Sequence, residues 1–481
     1  MVASYVATSG VPVLTGVLFI RKRELELEID FEGWESKAIL ALSNIPFVRY
    51  DEYTDTYRAL PCVYWEIRDR FRRMGFRVET EVNEDLHVGD VRFRERINLR
   101  QYQRDVIDRL SRKGFRGVVV LPTGAGKSVI GMYAISRLRC RTLVVVPTIE
   151  LMHQWRWKIR KSLGVLDQHI GAWGGGRRDI REITITTYQS ACRRDFLLKA
   201  MDMFNLVIFD EAHHLPAETY IEIAKRLIAR YRIGLTATPR RVDMRDRLLT
   251  IFVGDIIYGA GMKTLIEKGF LARYEYEKIR VSMTKEEYEE YKGLMRIYRK
   301  YVEERFPNLS GRAAFERVVK MAWKDRRAKE ALEARMKAKS IAMAPKAKIE
   351  KLNEILEKHK RDKVIIFTRL KRTAHLISYL FGIPVITSDV PKSVRRRIFS
   401  MFERGRITKI VSAEALDEGV DVPDASVGII VSGTSSERQY VQRVGRVLRP
   451  KDKPAKIYEL VTAKSFDEFL SKARKGLIRR E

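Results

Sequence analysis

The chain has 481 residues, of which 45% are hydrophobic and 32% are charged. That length suits about three domains, and the composition is that of a folded globular protein, which excludes a disordered one. Lysine and arginine number 93 against 62 aspartates and glutamates, so the formal net charge is +31. Such a surplus predicts a polyanionic partner. Nucleic acid is favoured as this partner over an anionic membrane. The charge-rich surface of a thermophilic protein is a weaker explanation, because such a surface usually carries balanced numbers of positive and negative charges.

Cysteine and histidine usage argues against a metal cluster and a disulfide framework. Cys62, Cys140 and Cys192 lie far apart without ligand spacing, and the seven histidines show no metal-site spacing either. The apolar run Val11–Ile20 is too short to span a bilayer, and no basic region precedes it. We therefore expect a protein of the reducing cytoplasm, without a membrane partner.

The N-terminal residues 1–88 are predicted to form a separate small α/β domain. Val13–Ile20 and Glu24–Ile29 have strand-like composition, and Val63–Met74 has apolar residues at helical spacing. No catalytic constellation occurs there. A plain docking domain and a DNA-sensing domain are therefore equally open.

A phosphate-binding loop is predicted after the β-branched run that begins at Gly117. The run ends at Pro122, a glycine-rich turn follows, and helical spacing begins after Ser128. Backbone N–H groups of such a loop cradle a polyphosphate, the lysine reaches the β/γ-phosphates, and the hydroxyl ligates Mg²⁺. Taken alone, this stretch could also be an ordinary strand–helix turn, because Leu121 replaces the first glycine of the strict pattern. The predicted nucleotide-binding residues are Pro122, Thr123, Gly124, Ala125, Gly126, Lys127 and Ser128, with ATP and Mg²⁺ as cofactors.

Two adjacent carboxylates follow this loop by about 80 residues. The apolar run Leu206–Phe209 predicts a buried strand, at whose carboxyl end Asp210 and Glu211 emerge, where parallel sheets bind ligands. Asp210 is predicted to hold Mg²⁺ with Ser128, and Glu211 to orient or deprotonate the attacking water. Upstream of the loop, a helix is predicted to begin at Leu99–Gln103, and the Gln103 amide could pair with an adenine edge. Taken alone, this stretch could also be an ordinary helix start.

Strands alternate with helices in both halves of the chain, which predicts parallel sheets covered by helices on both faces. Thr148 and Thr187 follow strands of the first half. Threonines there often contact a nucleic-acid backbone, although a strand threonine needs no special reason. Gly171–Gly176 is predicted as a flexible turn. In the second half, which lacks a phosphate loop, the strand Lys363–Thr368 ends at Arg369.

A basic helical face is predicted near the end of the second half. Gln442, Arg446 and Arg449 share it by their i, i+4, i+7 spacing. An arginine that reaches a γ-phosphate from another domain stabilises transition-state charge. The alternative is a solvated basic face, which Gly445 disfavours because glycine inside a helix is costly.

Residues 283–343, between the halves, differ in kind. Lys292–Lys348 contains 17 basic and six acidic residues. Glu286–Glu304 and Gly311–Ala342 are predicted to form an α-helical hairpin broken at Pro307–Asn308. Two interpretations of this hairpin are equally open. It could contact a nucleic-acid backbone and stack on bases, or its aromatic residues could simply pack against each other. The aromatic residues concerned are Tyr298, Tyr301, Phe306, Phe315 and Trp323.

Six motifs, each weak alone, occur in a specific order: Arg100–Gln103, Pro122–Ser128, Asp210–His213, Thr236–Thr238, Asp417–Asp421 and Gln442–Arg449. Over roughly residues 90–465 they resemble superfamily 2 helicases. The N-terminal domain and the basic insert make the closer resemblance to the XPB family, in its archaeal form. The resemblance implies an α/β fold of two RecA-like parallel-sheet lobes with ATP between them. It places lobe one at 89–255, lobe two at 256–481 with a thumb-like insert at 283–343, and a damage-recognition-like domain at 1–88.

The resemblance also implies roles for individual residues. Thr236 and Thr238 would couple hydrolysis to movement, and Arg446 and Arg449 would act as arginine fingers. The implied nucleotide-binding set adds Arg100, Gln103, Gly419 and Asp421. The implied catalytic set is Asp210, Glu211, Gln442, Arg446 and Arg449. The implied DNA contacts are Thr148, Thr187, Arg241, Asp243 and Arg369.

The expected activity is ATP-dependent 3′→5′ movement along double-stranded or forked DNA in nucleotide excision repair, with a possible nuclease partner. The family's Arg-Glu-Asp element reads Arg241-Val242-Asp243 here. The missing glutamate bears on strand separation by that element and not on ATP hydrolysis or translocation. An RNA helicase and an ATP-switched DNA-binding scaffold are the alternatives. The lesion recognised, the extent of unwinding, the partner's identity and the oligomeric state stay open.

Overall fold

The computed structural model describes residues 16–89, 91–94, 97–122, 124–237, 244–268, 270, 274–413, 425–432 and 454–471. The chain divides into two compact units. One comprises Met1–Val120 and Gly126–Gly259, and the other comprises Leu121–Ala125 and Ala260–Glu481. The first unit holds two sheets, and the second holds a parallel sheet and a helical insert.

The N-terminal part of the first unit is a five-stranded sheet with two helices. Its elements are β1 (Val17–Arg23), β2 (Glu26–Glu32), α1 (Glu35–Ser43), β3 (Val48–Asp51), β4 (Thr56–Ala59), α2 (Tyr64–Arg73) and β5 (Arg77–Thr80). The strand order is β3-β4-β2-β1-β5, with a parallel β1–β5 pair and antiparallel pairs elsewhere. Leu18 and Ile20 of β1 share one core with Ile67 and Phe71 of α2, as their spacings of two and four predict.

This small sheet is attached to the large sheet that follows it. Its core cluster includes Met201 and Ile228 from beyond the N-terminal domain. Lys22 Nζ lies 2.6 Å from the Asp202 carboxylate, and the Arg226 guanidinium donates to the Leu25 carbonyl at 2.9 Å. The N-terminal domain therefore has its own sheet but shares part of its core with the rest of the unit.

The large sheet of the first unit has eight strands. Its elements are α3 (Gln101–Arg112), β6 (Arg116–Val120), α4 (Lys127–Leu138), β7 (Thr142–Val146), α5 (Ile149–Leu163), β8 (Ile170–Gly174), β9 (Arg177–Asp179), β10 (Ile183–Thr187), α6 (Tyr188–Ala191), α7 (Arg194–Ala200), β11 (Leu206–Asp210), α8 (Ile221–Arg226), β12 (Tyr231–Thr236), α9 (Arg247–Phe252) and β13 (Ile256–Gly259). The order is β13-β6-β12-β11-β7-β10-β8-β9, and every pair except β8–β9 is parallel. The carboxyl ends of β6, β11 and β12 therefore lie side by side.

Two details of this sheet differ from the sequence-based expectation. The stretch Gly171–Gly176 was predicted as a flexible turn, but only Gly175 and Gly176 form a turn, and Gly171–Gly174 supplies most of β8, which pairs with β10 and β9. A Cβ at Gly171 would lie 2.5 Å from the Asp179 carbonyl oxygen, so glycine permits this close approach. The strand β13 pairs with β6, and the first unit therefore ends at Gly259 rather than at residue 255.

The second unit is built on a six-stranded parallel sheet. Its elements are α10 (Met262–Glu267), β14 (Tyr274–Val281), α11 (Lys285–Arg305), α12 (Gly311–Met321), α13 (Arg326–Met343), α14 (Lys346–Lys358), β15 (Val364–Thr368), α15 (Lys371–Phe381), β16 (Val385–Ile386), α16 (Lys392–Glu403), β17 (Lys409–Ala413), β18 (Val427–Ile430) and β19 (Ala455–Thr462). The strand order is β14-β19-β18-β15-β17-β16. The buried faces of β15, β17 and β18 form its core with α14 and α15.

The insert comprises the three helices α11, α12 and α13, so the prediction of a two-helix hairpin is wrong. Asp325 interrupts the predicted second helix: its side chain accepts the Arg327 backbone N–H at 2.8 Å and the Tyr301 hydroxyl at 2.7 Å. Tyr298 and Tyr301 are buried in the core of the insert. Trp323, in the α12–α13 connection, is 91% exposed. Packing therefore explains the two tyrosines and does not explain Trp323.

The three cysteines are free thiols. Burial raises the pKa of the Cys140 thiol to about 12, which makes it unreactive. In the described parts of the chain, no group of three or more His, Cys, Asp or Glu residues is placed to hold a metal ion. No helix in those parts is long and apolar enough to cross a membrane.

Candidate functional site

The loop between β6 and α4 is shaped by glycine. Gly126, at the N-terminus of α4, has φ 74°, and a Cβ there would lie 2.6 Å from the Gln103 side-chain nitrogen. The backbone conformation therefore favours glycine, and a Cβ at this position would displace the Gln103 amide. The buried Gln103 amide points its nitrogen at the Gly126 carbonyl, at 3.5 Å, and accepts the Arg100 backbone N–H at 2.9 Å. The residue predicted to read adenine thus lies against the predicted phosphate loop.

The first residues of α4 face the carboxyl end of β11. The Lys127 side chain is 9% exposed, and its Nζ lies 3.9 Å from Glu211 Oε1. Ser128 Oγ accepts a hydrogen bond from Lys158 Nζ of α5 at 3.3 Å. Glu211 Oε2 is buried and has no hydrogen-bond partner among the described residues. This carboxylate oxygen is available to a bound water or ligand.

The Asp210 carboxylate is held from several sides. Its Oδ2 accepts the indole N–H of Trp155 at 2.8 Å, and its Oδ1 accepts the Glu211 backbone N–H at 3.0 Å. The Tyr188 hydroxyl donates to the Asp210 backbone carbonyl at 3.0 Å. Burial, with the charges of Asp210 and Glu211 nearby, raises the pKa of Tyr188 well above its usual range, so the phenol stays a donor. A buried, oriented carboxylate results.

Glu211 and its neighbours connect the site to the end of β12. Glu211 has φ 47°, a left-handed conformation that costs a non-glycine residue about 1 kcal/mol or more and that clusters at functional sites. His213 Nδ1 lies 3.6 Å from Glu211 Oε2 and 3.0 Å from Thr236 Oγ1. Both His213 and Thr236 are buried. A polar path therefore joins Lys127, Glu211, His213 and Thr236.

The sequence matches known helicases over most of its length. A family model described as "Type III restriction enzyme, res subunit" matches residues 96–241, and "Helicase conserved C-terminal domain" matches residues 347–451. The DNA 3'-5' translocase XPB2 of Sulfurisphaera tokodaii is 40% identical over 437 residues, which are 91% of this chain and 98% of that protein. The chain belongs to the XPB family of superfamily 2 helicases.

A further relative agrees with this XPB membership, and a solved structure shows a shared fold. The DNA 3'-5' helicase XPB of Mycobacterium tuberculosis is 30% identical over 360 residues, which are 73% of this chain and 58% of that protein. The crystal structure of the Pyrococcus furiosus Hef helicase domain superposes with a TM-score of 0.52 at 20% identity, covering 78% of this chain and 98% of that chain. The likeness to the Hef helicase domain shows a shared fold. The predicted architecture of two RecA-like lobes is confirmed.

Three residues predicted to contact DNA in this XPB-family chain are described by the structure. Thr148 and Thr187 are the N-caps of α5 and α6, where their hydroxyls accept the backbone N–H groups of Leu151 and Ser190 at 3.3 and 3.1 Å. The Arg369 backbone N–H donates to Ser432 Oγ at 2.9 Å at the end of β15. Helix capping therefore gives both threonines a structural role, whatever else they contact.

Several predicted site residues of the XPB motifs lie outside the described residues, and their roles stay predictions. They are Thr123, Thr238, Arg241, Asp243, Gly419, Asp421, Gln442, Arg446 and Arg449.

Sequence reasoning assigned no role to four residues that contact the site. Trp155 and Lys158, on α5, reach Asp210 and Ser128; Tyr188 reaches the Asp210 backbone; and His213 reaches Thr236. Only His213 had a sequence signal, because it directly follows the carboxylate pair in the Asp210–His213 motif. The other contacts bridge long sequence separations and leave no local pattern.

Proposed function

We propose that this chain is an ATP-dependent 3′→5′ DNA helicase or translocase. The observation that carries the proposal is the 3.9 Å approach of Lys127, at the start of α4, to Glu211, at the carboxyl end of β11, with Ser128 and Asp210 adjacent to them in the chain. These are the lysine, hydroxyl and carboxylates that phosphoryl transfer to water requires. XPB membership supports this assignment.

The residues present fit a Mg²⁺ ion bound with the nucleotide. Ser128 and Asp210 offer hydroxyl and carboxylate oxygens, which are the hard ligands that Mg²⁺ prefers. The described residues hold no complete cage of metal ligands. A Mg²⁺ ion bound at a phosphate-binding loop does not need such a cage, because phosphates and waters supply most of its ligands. When bound, the ion would neutralise charge on the phosphate oxygens.

The protein's own groups can bind the phosphates and position the water. Backbone N–H groups at the start of α4, with the Lys127 ammonium, would bind them. Glu211, whose Oε2 is buried and open to a new partner, would orient the attacking water and receive its proton. The 3.9 Å contact of Lys127 with Glu211 supports this division of roles, since the phosphate cation and the base lie side by side.

DNA is the proposed polymer. The net charge of +31 supports a polyanionic partner, and the relatives cited above are named DNA translocases or helicases, which favours DNA over RNA. A role in nucleotide excision repair, a damage-recognition role for residues 1–88, and a nuclease partner are parts of this proposal. An ATP-switched scaffold is disfavoured because a switch needs no Glu211.

The test is ATP hydrolysis by the full chain with saturating DNA, or with RNA of the same sequence. We expect turnover that depends on DNA and is stimulated far less by RNA. Equal stimulation by RNA would support the alternative of an RNA helicase. ATP binding without turnover would support the scaffold. Strand displacement on forked DNA would then separate unwinding from translocation alone.

DNA affinity should fall steeply with salt. Each phosphate contact contributes about 0.7–0.9 decades of affinity per decade of salt, because bound cations are released. A footprint of about six contacts would lose about 10³-fold between roughly 50 and 200 mM salt. Fluorescence anisotropy of labelled DNA measures this slope. A flat response would contradict nucleic acid as the main partner.

Trp323 should contribute base stacking rather than charge. It is exposed beside Lys320 and Lys324 on a turn anchored by Asp325. Trp323→Ala should weaken binding to forked or single-stranded DNA by about 1–3 kcal/mol with an unchanged salt slope. Trp323→Phe keeps a ring and should lose much less, whereas Lys324→Ala should mainly lower the slope. If Trp323→Ala binds as wild type does, the aromatic is not a DNA contact.

A further inference from the structure

The helix α5 contacts both residues predicted to hold Mg²⁺. Trp155 donates to Asp210, and Lys158, one turn later on the same face, donates to Ser128. The Trp155–Asp210 contact is the more enclosed of the two, since Trp155 is 1% exposed and Asp210 is 7% exposed. An indole N–H can only donate a hydrogen bond, and a buried one is costly without an acceptor. At 2.8 Å, with a carboxylate as acceptor, this is a strong, charge-assisted hydrogen bond.

The site is built to accommodate this indole. A Cβ at Gly131, in the interior of α4, would lie 2.8 Å from Trp155 Cη2. The same Cβ would lie 3.4 Å from Ile208 and 3.5 Å from Leu235, so the ring is seated beside β11 and β12. Glycine inside a helix costs about 1 kcal/mol relative to alanine. The packing of the Trp155 ring into the space that Gly131 leaves offsets this cost. The ring thereby contacts α4 and lies beside β11.

We propose that Trp155 is a positioning residue for the magnesium site, and this inference rests on the proposed function. Its N–H holds Oδ2 of Asp210 while the Glu211 N–H holds Oδ1, so the carboxylate plane cannot rotate freely. Each oxygen keeps a second lone pair for the ion or its waters. Partners that orient a metal-binding side chain from outside the coordination sphere act in this way.

The test is a Mg²⁺ titration of nucleotide binding by the full chain, with a fluorescent ATP analogue as probe. Trp155→Phe removes the N–H and keeps an aromatic ring. We expect it to raise the Mg²⁺ concentration for half-maximal binding about tenfold, with Mg²⁺-free nucleotide affinity and DNA affinity unchanged. The matched control is Trp157→Phe, two residues along α5, where the indole is half exposed; it should titrate as wild type does. Identical titrations of the two variants would overturn the proposal.

A comparison of Asp210→Asn with the Asp210→Asn, Trp155→Phe double variant tests whether Trp155 acts by positioning Asp210 or only by packing. In an Asp210→Asn background, Trp155→Phe should cause no further shift, because the group through which it acts is already changed. A full tenfold shift in that background would also overturn the proposal. If Trp155→Phe does not fold, Gly131→Ala decides the question, since its methyl group displaces the indole and should reproduce the shift. The proposed function is judged separately, from DNA-stimulated hydrolysis by the wild type.

Discussion

Replacing Lys127 by alanine should abolish ATP hydrolysis and leave DNA affinity nearly unchanged. The ammonium is the buried cation of the phosphate loop, and losing a preorganised group that stabilises developing charge lowers turnover by at least about 10²–10³-fold. DNA affinity depends on exposed charge, to which this side chain contributes little. Phosphate release with saturating DNA and anisotropy of labelled DNA measure the two effects.

The matched control for this variant is Lys113→Ala. Lys113 is exposed after α3 in the same unit, so the substitution removes the same charge from the surface. It should hydrolyse ATP as wild type does. Normal DNA-dependent turnover by Lys127→Ala would show that the nucleotide site has been assigned to the wrong residues.

Replacing Glu211 by glutamine should stop hydrolysis while preserving ATP binding. The amide keeps the shape of the side chain but cannot accept a proton, and loss of a general base costs about 10²–10⁴-fold in rate. Because the carboxylate lies 3.9 Å from Lys127, its neutralisation leaves the lysine freer for phosphate. Nucleotide affinity should therefore stay equal or become tighter.

Steady-state turnover and equilibrium binding of an ATP analogue distinguish these outcomes for Glu211→Gln. Glu218→Gln, an exposed carboxylate that pairs with Arg245, is the matched control and should behave as wild type does. Unchanged turnover by Glu211→Gln would assign the base elsewhere. Loss of ATP binding would mean that Glu211 supports the shape of the loop rather than the chemistry.

Most of the parallel-sheet framework could be predicted, because its signals are local. The runs that became β7, β10, β11 and β15 are apolar and β-branched, and each is bounded by turn residues. Gly171–Gly174 was mispredicted because glycine composition signals a turn. The structure pairs this stretch with β10 on one side and β9 on the other. Strand partners decided that element, and composition does not encode them.

The helices of the insert also could not be predicted fully from local composition. Gly311–Ala342 is rich in alanine and lysine, so helix propensity alone predicts one long helix. The chain breaks at Asp325, whose side chain caps α13 and accepts a bond from Tyr301, 24 residues earlier. The long-range hydrogen bond from Tyr301 thus reinforces the N-cap at Asp325, whereas helix propensity alone would predict an uninterrupted helix.

The candidate reactive groups of this XPB-family protein can be proposed from local sequence alone. The predicted phosphate loop and the carboxylate pair are short motifs whose chemistry follows from residue type and from position at strand ends, so Lys127, Ser128, Asp210 and Glu211 could be proposed as site residues without a structure. The contacts that hold these groups became visible only in the folded protein. Trp155 meets Asp210 across 55 residues and His213 meets Thr236 across 23, while Tyr301 is buried and Trp323 is exposed. Burial and hydrogen-bond partners depend on which surfaces the sheet brings together, and that information is spread over the whole chain.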